Sequence, residues 1–318
     1  VIYAHDSYVS NLLPTRDAER IRAVLDRVSS QQLARGFYFP PGSAFQTVAE
    51  LRQSLASIGV SRYVTVSLST RFRPGPEYLF LDGWRAVPES SAAEFFRLTN
   101  LAMLDANPRP PGELWYAMVS GHFPHLLIDP LREHRALFQA VKVGSSRPIP
   151  LSDPRFEPLW QWCAAECLPV LLHCSGENPE DFSDGLQICR RHPSLSVTLS
   201  HLGGMLQAVE NPLDRNREIL IRRAAILRRG LPPNLTFNNA IYDLALTDLF
   251  CDAFPSLESR ILSALDLPFF GAIPDRLAKL RALRCWPSIE ANTAAYLGTG
   301  TEIAAEIRQT LFPSGSKP

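Results

Sequence analysis

Pro169-Val170-Leu171-Leu172-His173 and Ser196-Val197-Thr198-Leu199-Ser200-His201 are two short apolar runs that each end in a histidine. Two more runs share the form: Val1-Ile2-Tyr3-Ala4-His5, and Arg260-Ile261-Leu262-Ser263-Ala264-Leu265-Asp266. Each is followed by a loop and then by a helix-like segment. Runs this short and this continuously apolar read as strands buried on both faces. A parallel barrel gathers such strand ends on one face, so three imidazoles and a carboxylate would meet there. Those are the donors of a divalent-metal site.

The same rhythm runs outward along the chain. Strand-like runs fall near 1–6, 62–69, 114–120, 139–144, 169–174, 196–201, 234–240 and 260–266. Helix-period segments lie between them, among them Ser90 to Asn107, Pro154 to Cys167, Asp181 to Arg191, Arg215 to Arg229 and Asp243 to Phe254. Ser152-Asp153-Pro154 has the form of a cap followed by an early proline. Eight strands alternating with helices predict an α/β fold, a (β/α)8 TIM barrel formed as a single domain over residues 1–318. A doubly wound open sheet is the rival, but it usually carries a glycine-rich turn after its first strand. His5-Asp6-Ser7-Tyr8 is no such turn.

Insertions are expected after strands one and two. Residues 10–44 hold a helix, Thr15 to Ser29, and a Gly36 to Gly42 loop; Arg71 to Ala86 forms a second loop. Both are rich in proline and aromatics, including Phe37, Tyr38, Phe39, Tyr78, Phe80 and Trp84. Loops of that length over a barrel mouth act as lids or binding walls. Pro274 to Leu283, Ser288 to Leu297 and Thr301 to Leu311 would close the barrel.

With 46% hydrophobic and 20% charged residues and a formal net charge of zero, the chain gives no electrostatic reason to bind nucleic acid or a membrane surface. No apolar stretch approaches the roughly 20 residues of a spanning helix. No signal-peptide pattern is present, and a start at Val1 without Met reads as a processed or trimmed terminus. Cys163, Cys167, Cys174, Cys189, Cys251 and Cys285 include no CxxC pair, which suits reduced thiols in a cytoplasmic protein. Cys163 and Cys167 are expected on one buried helical face.

Taken in order, several blocks resemble the amidohydrolase superfamily, in its amidohydrolase-2 branch, which includes 2-amino-3-carboxymuconate semialdehyde decarboxylase and related hydratases and hydrolases. The blocks are Asp153-Pro154-Arg155-Phe156-Glu157-Pro158-Leu159-Trp160, Leu168-Pro169-Val170-Leu171-Leu172-His173 and Ser200-His201-Leu202-Gly203-Gly204. Further on come Arg260-Ile261-Leu262-Ser263-Ala264-Leu265-Asp266-Leu267-Pro268 and Asn292-Thr293-Ala294-Ala295-Tyr296-Leu297-Gly298. The similarity covers roughly residues 110–300 well and the first 110 poorly.

The resemblance implies that His5, His173 and Asp266 ligate a divalent metal, zinc by preference. His201 would be the acid/base residue beside it, or a further ligand, and Asp266 would orient or deprotonate the attacking water. The departures are in strand one. Ser7 stands where the pattern His-x-His has its second histidine, and Tyr3 replaces a common aspartate. In a regular strand positions 5 and 7 share a face and Asp6 faces away, so Asp6 could substitute only if the strand bulged. A serine hydroxyl is a poor zinc ligand.

A metal site of this kind would lower the pKa of water and polarise a carbonyl, with His201 moving the proton. Lys142, within Ala140-Val141-Lys142-Val143-Gly144, is a lysine on a buried strand and needs a partner or a role. Lys142, Asn239 at the end of strand seven and His122 in Gly121-His122-Phe123-Pro124-His125 are candidate substrate contacts. His125 and Glu177 are further loop candidates, Cys174 is read as packing, and His134 and His192 as surface residues. Arg71 and Arg73 could join Lys142 in holding a carboxylate. The function expected is hydrolysis of a small carbonyl or carboxylate compound. The alternatives are non-oxidative decarboxylation, a metal-independent lyase or lactonase, or a binding protein that lost its metal site at Ser7. The expected partner is a small-molecule substrate, and the resemblance also points to a homodimer.

Overall fold

The computed structural model describes residues 2–9, 48–67, 92–101, 109–121, 123–144, 149–174, 180–205, 212–228, 230–241, 243–265 and 273–297. The strands are β1 (Ile2–Val9), β2 (Val60–Ser67), β3 (Glu113–Val119), β4 (Ala140–Val143), β5 (Val170–Leu172), β6 (Val197–Leu199), β7 (Leu235–Asn238) and β8 (Ile261–Leu262). They form one sheet in the order β1-β2-β3-β4-β5-β6-β7-β8, and each of these neighbouring pairs is parallel. Sequential parallel neighbours require a crossover each time, and helices supply it. The helices used below are α1 (Val48–Ser57), α2 (Ala92–Phe96), α3 (Ile128–Glu133), α4 (Glu157–Ala165), α5 (Glu180–Arg191), α6 (Pro212–Arg228), α7 (Ala245–Ala253), α8 (Ile273–Arg281) and α9 (Trp286–Tyr296). This is the α/β barrel order expected from the alternating runs. No helix among the described residues is long and apolar enough to cross a membrane.

The register divides each strand between two environments. Phe237 on β7 stacks on Phe182 of α5 and meets Phe250 of α7 edge-on, so its side of the sheet faces the helices. Leu199, in register with Phe237, packs against Gly185 of α5. The alternate set, running through Met118, Lys142, Leu171, Thr198 and Thr236, therefore lines the lumen. Low in the lumen the Thr198 and Thr236 hydroxyls lie 2.7 Å apart, and Thr198 bonds the buried Tyr296 hydroxyl of α9 at 3.4 Å.

On the helix side of β2 and β3, the Glu113 carboxylate is fully buried and receives Arg52 of α1 at 2.8 Å and the Thr65 hydroxyl at 2.9 Å. Beyond the end of the β2–β3 ladder, Asn100 satisfies both backbone groups of Met118, at 2.7 and 3.1 Å. Ahead of α4, Asp153 accepts from the Arg155 amide at 2.9 Å with Pro154 in the first turn, as its sequence implies. Cys163 is buried in α4, but Cys167 is exposed with φ +52, past the helix end. The expectation of one shared helical face for the two is therefore corrected: the helix ends at Ala165, before it reaches Cys167. All six cysteines are free thiols. The insertions at residues 10–44 and 71–86 and the segment Thr301 to Leu311 lie outside the described residues.

β1 departs from the expected alternation. Ala4 is level with Tyr63 and Ser7 is level with Thr65, so two residues, His5 and Asp6, stand opposite the single residue Val64. That is a β-bulge, one extra residue on one strand. Tyr63 and Thr65 occupy helix-side positions and Val64 a lumen-side one, by the register of β2 with β3. Positions 5 and 7 consequently do not share a face: the extra residue shifts the parity, and Ser7 falls in the helix-side register. A second irregularity, between Ile2 and Tyr3, leaves Ser61 on β2 as the additional residue.

Candidate active site

His173 prolongs β5 by one residue. Its amide donates to the Val143 carbonyl at 3.1 Å, which keeps it in the ladder with β4 and in the lumen register of Leu171. It is half-buried. His201 arrives differently. β6 ends at Leu199, the Ser200 amide donates to Leu172 at 2.9 Å, and the chain then makes a tight left-handed turn. His201 has φ +57, Leu202 φ +51 and Gly203 φ +76. Two side-chain-bearing residues in this region cost about 1–2 kcal/mol each, so the surroundings must enforce it.

Those surroundings are polar and specific. Asn238, the last residue of β7, accepts from the His201 amide at 3.0 Å and from the Ala240 amide at 3.3 Å. Arg223 of α6 donates to the Gly203 carbonyl at 2.5 Å and lies over the Phe182 ring at 4.5 Å. Burial lowers the Arg223 pKa, and the neighbouring Cys174 and Asp181 oppose that shift. A Cβ on Gly203 would come within 2.8 Å of Phe182, so this position needs glycine for space as well as for φ.

The turn delivers the His201 imidazole, only 4% exposed, against His173. His201 Nδ1 meets the Ala240 carbonyl. A carbonyl only accepts, so Nδ1 carries a proton and Nε2 is the ring's reactive nitrogen. Nε2 is 3.3 Å from His173 Nδ1, with ring centroids 4.7 Å apart and planes at 73°. That spacing is long for a hydrogen bond. It matches the edge of about 3.3 Å between two nitrogens bound tetrahedrally to one zinc at 2.0–2.1 Å. A ring nitrogen anchored to a backbone carbonyl while its partner faces the site is the usual support of a metal-ligating histidine. The pair therefore fits a divalent metal. Among the described residues no third His, Cys, Asp or Glu groups with them.

The other expected site residues distribute as follows. His5 is in β1, where its backbone is described at the bulge opposite Val64. Asp266 and His122 lie outside the described residues, as does Glu177. The end of β8 is held to α9: Ser263 donates its amide to Thr293 Oγ1 at 2.6 Å, and Asn292 of α9 donates to the Ile261 carbonyl at 3.1 Å. The Asn292-Thr293 block is thus the clamp that seats β8. Lys142 is 1% exposed and lies in the lumen register, level with Leu171. Asn239 is fully buried and accepts the Ala264 amide at 2.8 Å, tying the end of β7 to β8. Its Oδ1 is committed to that bond, while its buried Nδ2 has no hydrogen-bond partner among the described residues. His125 is half-buried on the turn Pro124–Leu127, and Cys174 is buried as packing. His134 and His192 are half-buried rather than on the open surface: His134 stacks on Phe96 and His192 pairs with Glu157 at 3.1 Å.

Sequence reading missed Asn238 and Arg223. The signal for Asn238 was an Asn-Asn pair ending an apolar strand. For Arg223 it was an arginine at the spacing of the buried helical positions Leu220 and Leu227.

No curated protein matches the sequence. The family model described as Amidohydrolase, of the amidohydrolase-2 type, matches residues 72–231, half of the chain. The chain belongs to the amidohydrolase family. The match begins earlier than the resemblance did and stops before β8, so it spans His173 and His201 but not Asp266. An uncharacterized TIM-barrel protein from Bordetella bronchiseptica superposes with TM-score 0.55 at 16% identity, over 96% of this amidohydrolase and 100% of that chain. 4-Oxalomesaconate hydratase from Rhodopseudomonas palustris gives 0.55 at 14%, over 98% and 99%. An amidohydrolase from Burkholderia multivorans with bound zinc gives 0.53 at 13%, over 93% and 98%. At these identities the likeness concerns the fold.

Proposed function

We propose that this amidohydrolase is a metal-dependent hydrolase acting on a small carbonyl- or carboxylate-containing compound. The observation that carries the reading is the His173–His201 pair. Its facing nitrogens stand 3.3 Å apart, and the outer nitrogen of His201 is anchored by Ala240. The zinc bound by the Burkholderia multivorans relative supports the choice of metal.

His5, His173 and Asp266 are the proposed ligands. A bound divalent metal would supply Lewis acidity at a substrate oxygen and lower the pKa of water toward about 7. The chain's own groups do the remainder. Asp266 orients the attacking water and takes its proton. His201, with Nδ1 committed to Ala240, presents Nε2 either as a further ligand at that 3.3 Å edge or, unligated, as the proton-exchanging group beside the metal, and a turn that leaves the ring little freedom holds it there. The buried lumen position of Lys142 places a cation one strand from His173 and suits a substrate carboxylate.

That same lysine favours a second reading, non-oxidative decarboxylation or hydration of an unsaturated acid, and the hydratase among the solved relatives belongs to that chemistry. The first test is metal content of protein purified without added metal or chelator, beside a His173→Ala control. About one zinc or other transition metal per chain, lost in the control, supports the metal-dependent reading. No metal in either sample after incubation with zinc overturns it. Assay of amide, lactone and carboxylate substrates on the loaded protein then separates hydrolysis from decarboxylation.

A further inference from the structure

We infer that the Ser200 hydroxyl is a substrate-binding donor, set on the lumen wall to hold an oxygen of the compound that enters at the His173–His201 pair. The inference rests on the metal-dependent reading above and deepens it. It implies a substrate that presents a negatively charged oxygen at that point, either a carboxylate or the oxyanion formed from a carbonyl.

The backbone fixes where the hydroxyl lies. Ser200 is still extended, with φ −67 and ψ 157, and its amide donates to the Leu172 carbonyl at 2.9 Å. Strand alternation therefore runs through it, and the left-handed turn begins only at His201. Thr198 lies in the lumen register, so Ser200, two residues on, shares that face. Leu172 is level with Leu199, which sets His173 level with Ser200 on the next strand, about 4.8 Å away. His173 turns Nδ1, the ring nitrogen nearer its own backbone, toward His201. The point that the two imidazoles share thus lies close to the β5–β6 wall, within reach of a side chain as short as serine.

Among the described residues, no structural task occupies this hydroxyl. Ser200 stands just before the turn His201–Gly204, where a serine side chain ordinarily accepts a backbone amide. Here it accepts none. The Gly203 and Gly204 amides donate to the Ser200 carbonyl instead, at 3.0 and 3.2 Å. The hydroxyl is fully buried and has no hydrogen-bond partner among the described residues. Asn238, level with Ser200 on its other side, is by contrast committed to the His201 and Ala240 amides. A buried hydroxyl that has given up water for nothing destabilises the resting fold, and alanine would suit the position better. That cost is offset once a charged ligand oxygen at the imidazole pair accepts from it.

The test compares wild type, Ser200→Ala and Ser200→Thr as full chains. Three quantities are measured: the urea unfolding midpoint as purified, zinc uptake, and affinity of the zinc-loaded protein for acetohydroxamate, an oxygen-donor probe, by titration calorimetry. Ser200→Ala should unfold at or above the wild-type midpoint and take up zinc as wild type does. It should bind acetohydroxamate about 10-fold more weakly, the loss of one hydrogen bond to a charged acceptor. Ser200→Thr restores a hydroxyl and should bind the probe more tightly than Ser200→Ala. Equal probe affinity in wild type and Ser200→Ala, with zinc on both, overturns the inference and leaves the metal reading standing. So does a zinc-loaded wild type that does not bind the probe. A lowered midpoint in Ser200→Ala also overturns it, since the hydroxyl would then have a partner within the fold. Loss of zinc from Ser200→Ala would assign the hydroxyl to the metal and overturn its assignment to substrate. Failure of the wild-type chain to take up zinc overturns the metal reading and the inference with it.

Discussion

Replacing Arg223 with alanine is expected to destabilise the fold and loosen His201, although the arginine lies on α6 and does not touch either imidazole. Its guanidinium donates to the Gly203 carbonyl at 2.5 Å and covers the Phe182 ring at 4.5 Å. A hydrogen bond from a charged donor contributes about 1.5–3 kcal/mol, and a desolvated cation–π contact up to about 2 kcal/mol. Against this, the buried guanidinium carries a desolvation cost, seen in its lowered pKa, which alanine would relieve. Asp181, 4% exposed, would lose a nearby cation at the same time. The balance is a loss of about 2–4 kcal/mol, read from urea unfolding. Arg223→Lys keeps the charge but not the flat face, and should fall between the two. If Arg223 acts through the turn, zinc affinity should also drop in Arg223→Ala. A stability change below about 0.5 kcal/mol, the range of an ordinary surface substitution, would refute the reasoning.

Gly203→Ala is expected to cost about 2–5 kcal/mol in the same assay, from a side chain at φ +76 and a Cβ placed 2.8 Å from Phe182. Arg52→Met strands the fully buried Glu113 carboxylate and should cost about 3 kcal/mol, much of it recovered in the double change with Glu113→Met. Asp248 has a lowered pKa: burial acts to raise it and is outweighed by hydrogen bonds from the Cys285 thiol and the Arg284 and Cys285 amides, with the Arg284 charge adding to them. A depressed native pKa gives stability that is present above the unfolded value of about 3.9 and lost as pH falls through the native value. Stability measured below about pH 4 should therefore fall less steeply in Asp248→Asn than in wild type.

The barrel was legible because parallel strands covered on both faces must be largely apolar at successive positions, and Val170 to Leu172 obey that throughout and Val197 to Leu199 with Thr198 as the one polar member. His173 and His201 were legible because each closes such a run, where a polar residue has little structural reason to be. The β1 site was not. An eight-residue run with one extra residue looks like any other strand, and the bulge exists only relative to the residues of β2 that it pairs with. Alternation counted along one strand assigned Ser7 to the lumen; pairing counted across two strands assigns that register to the His5-Asp6 step. For Asn239 the position at a strand end was legible, but the tie of its oxygen to Ala264, a contact 25 residues away, was not. Arg223 is the strongest omission. Its charge suggested solvent, and only the fold shows it covered by Phe182 and the Gly203 carbonyl.

The two imidazoles reach their shared point by unequal means, and this bears on how the site would respond to its ligand. His173 is carried by strand geometry: it is half-buried and follows β5 in register. His201 is held by its amide on Asn238, its Nδ1 on Ala240 and its turn on Arg223, at the end of a strained left-handed backbone. Strain of that kind persists only where several contacts determine it together. His201 is consequently the fixed member of the pair, prepared before any metal or substrate arrives. Loss of Asn238 should release the His201 amide while the β5 ladder still holds His173.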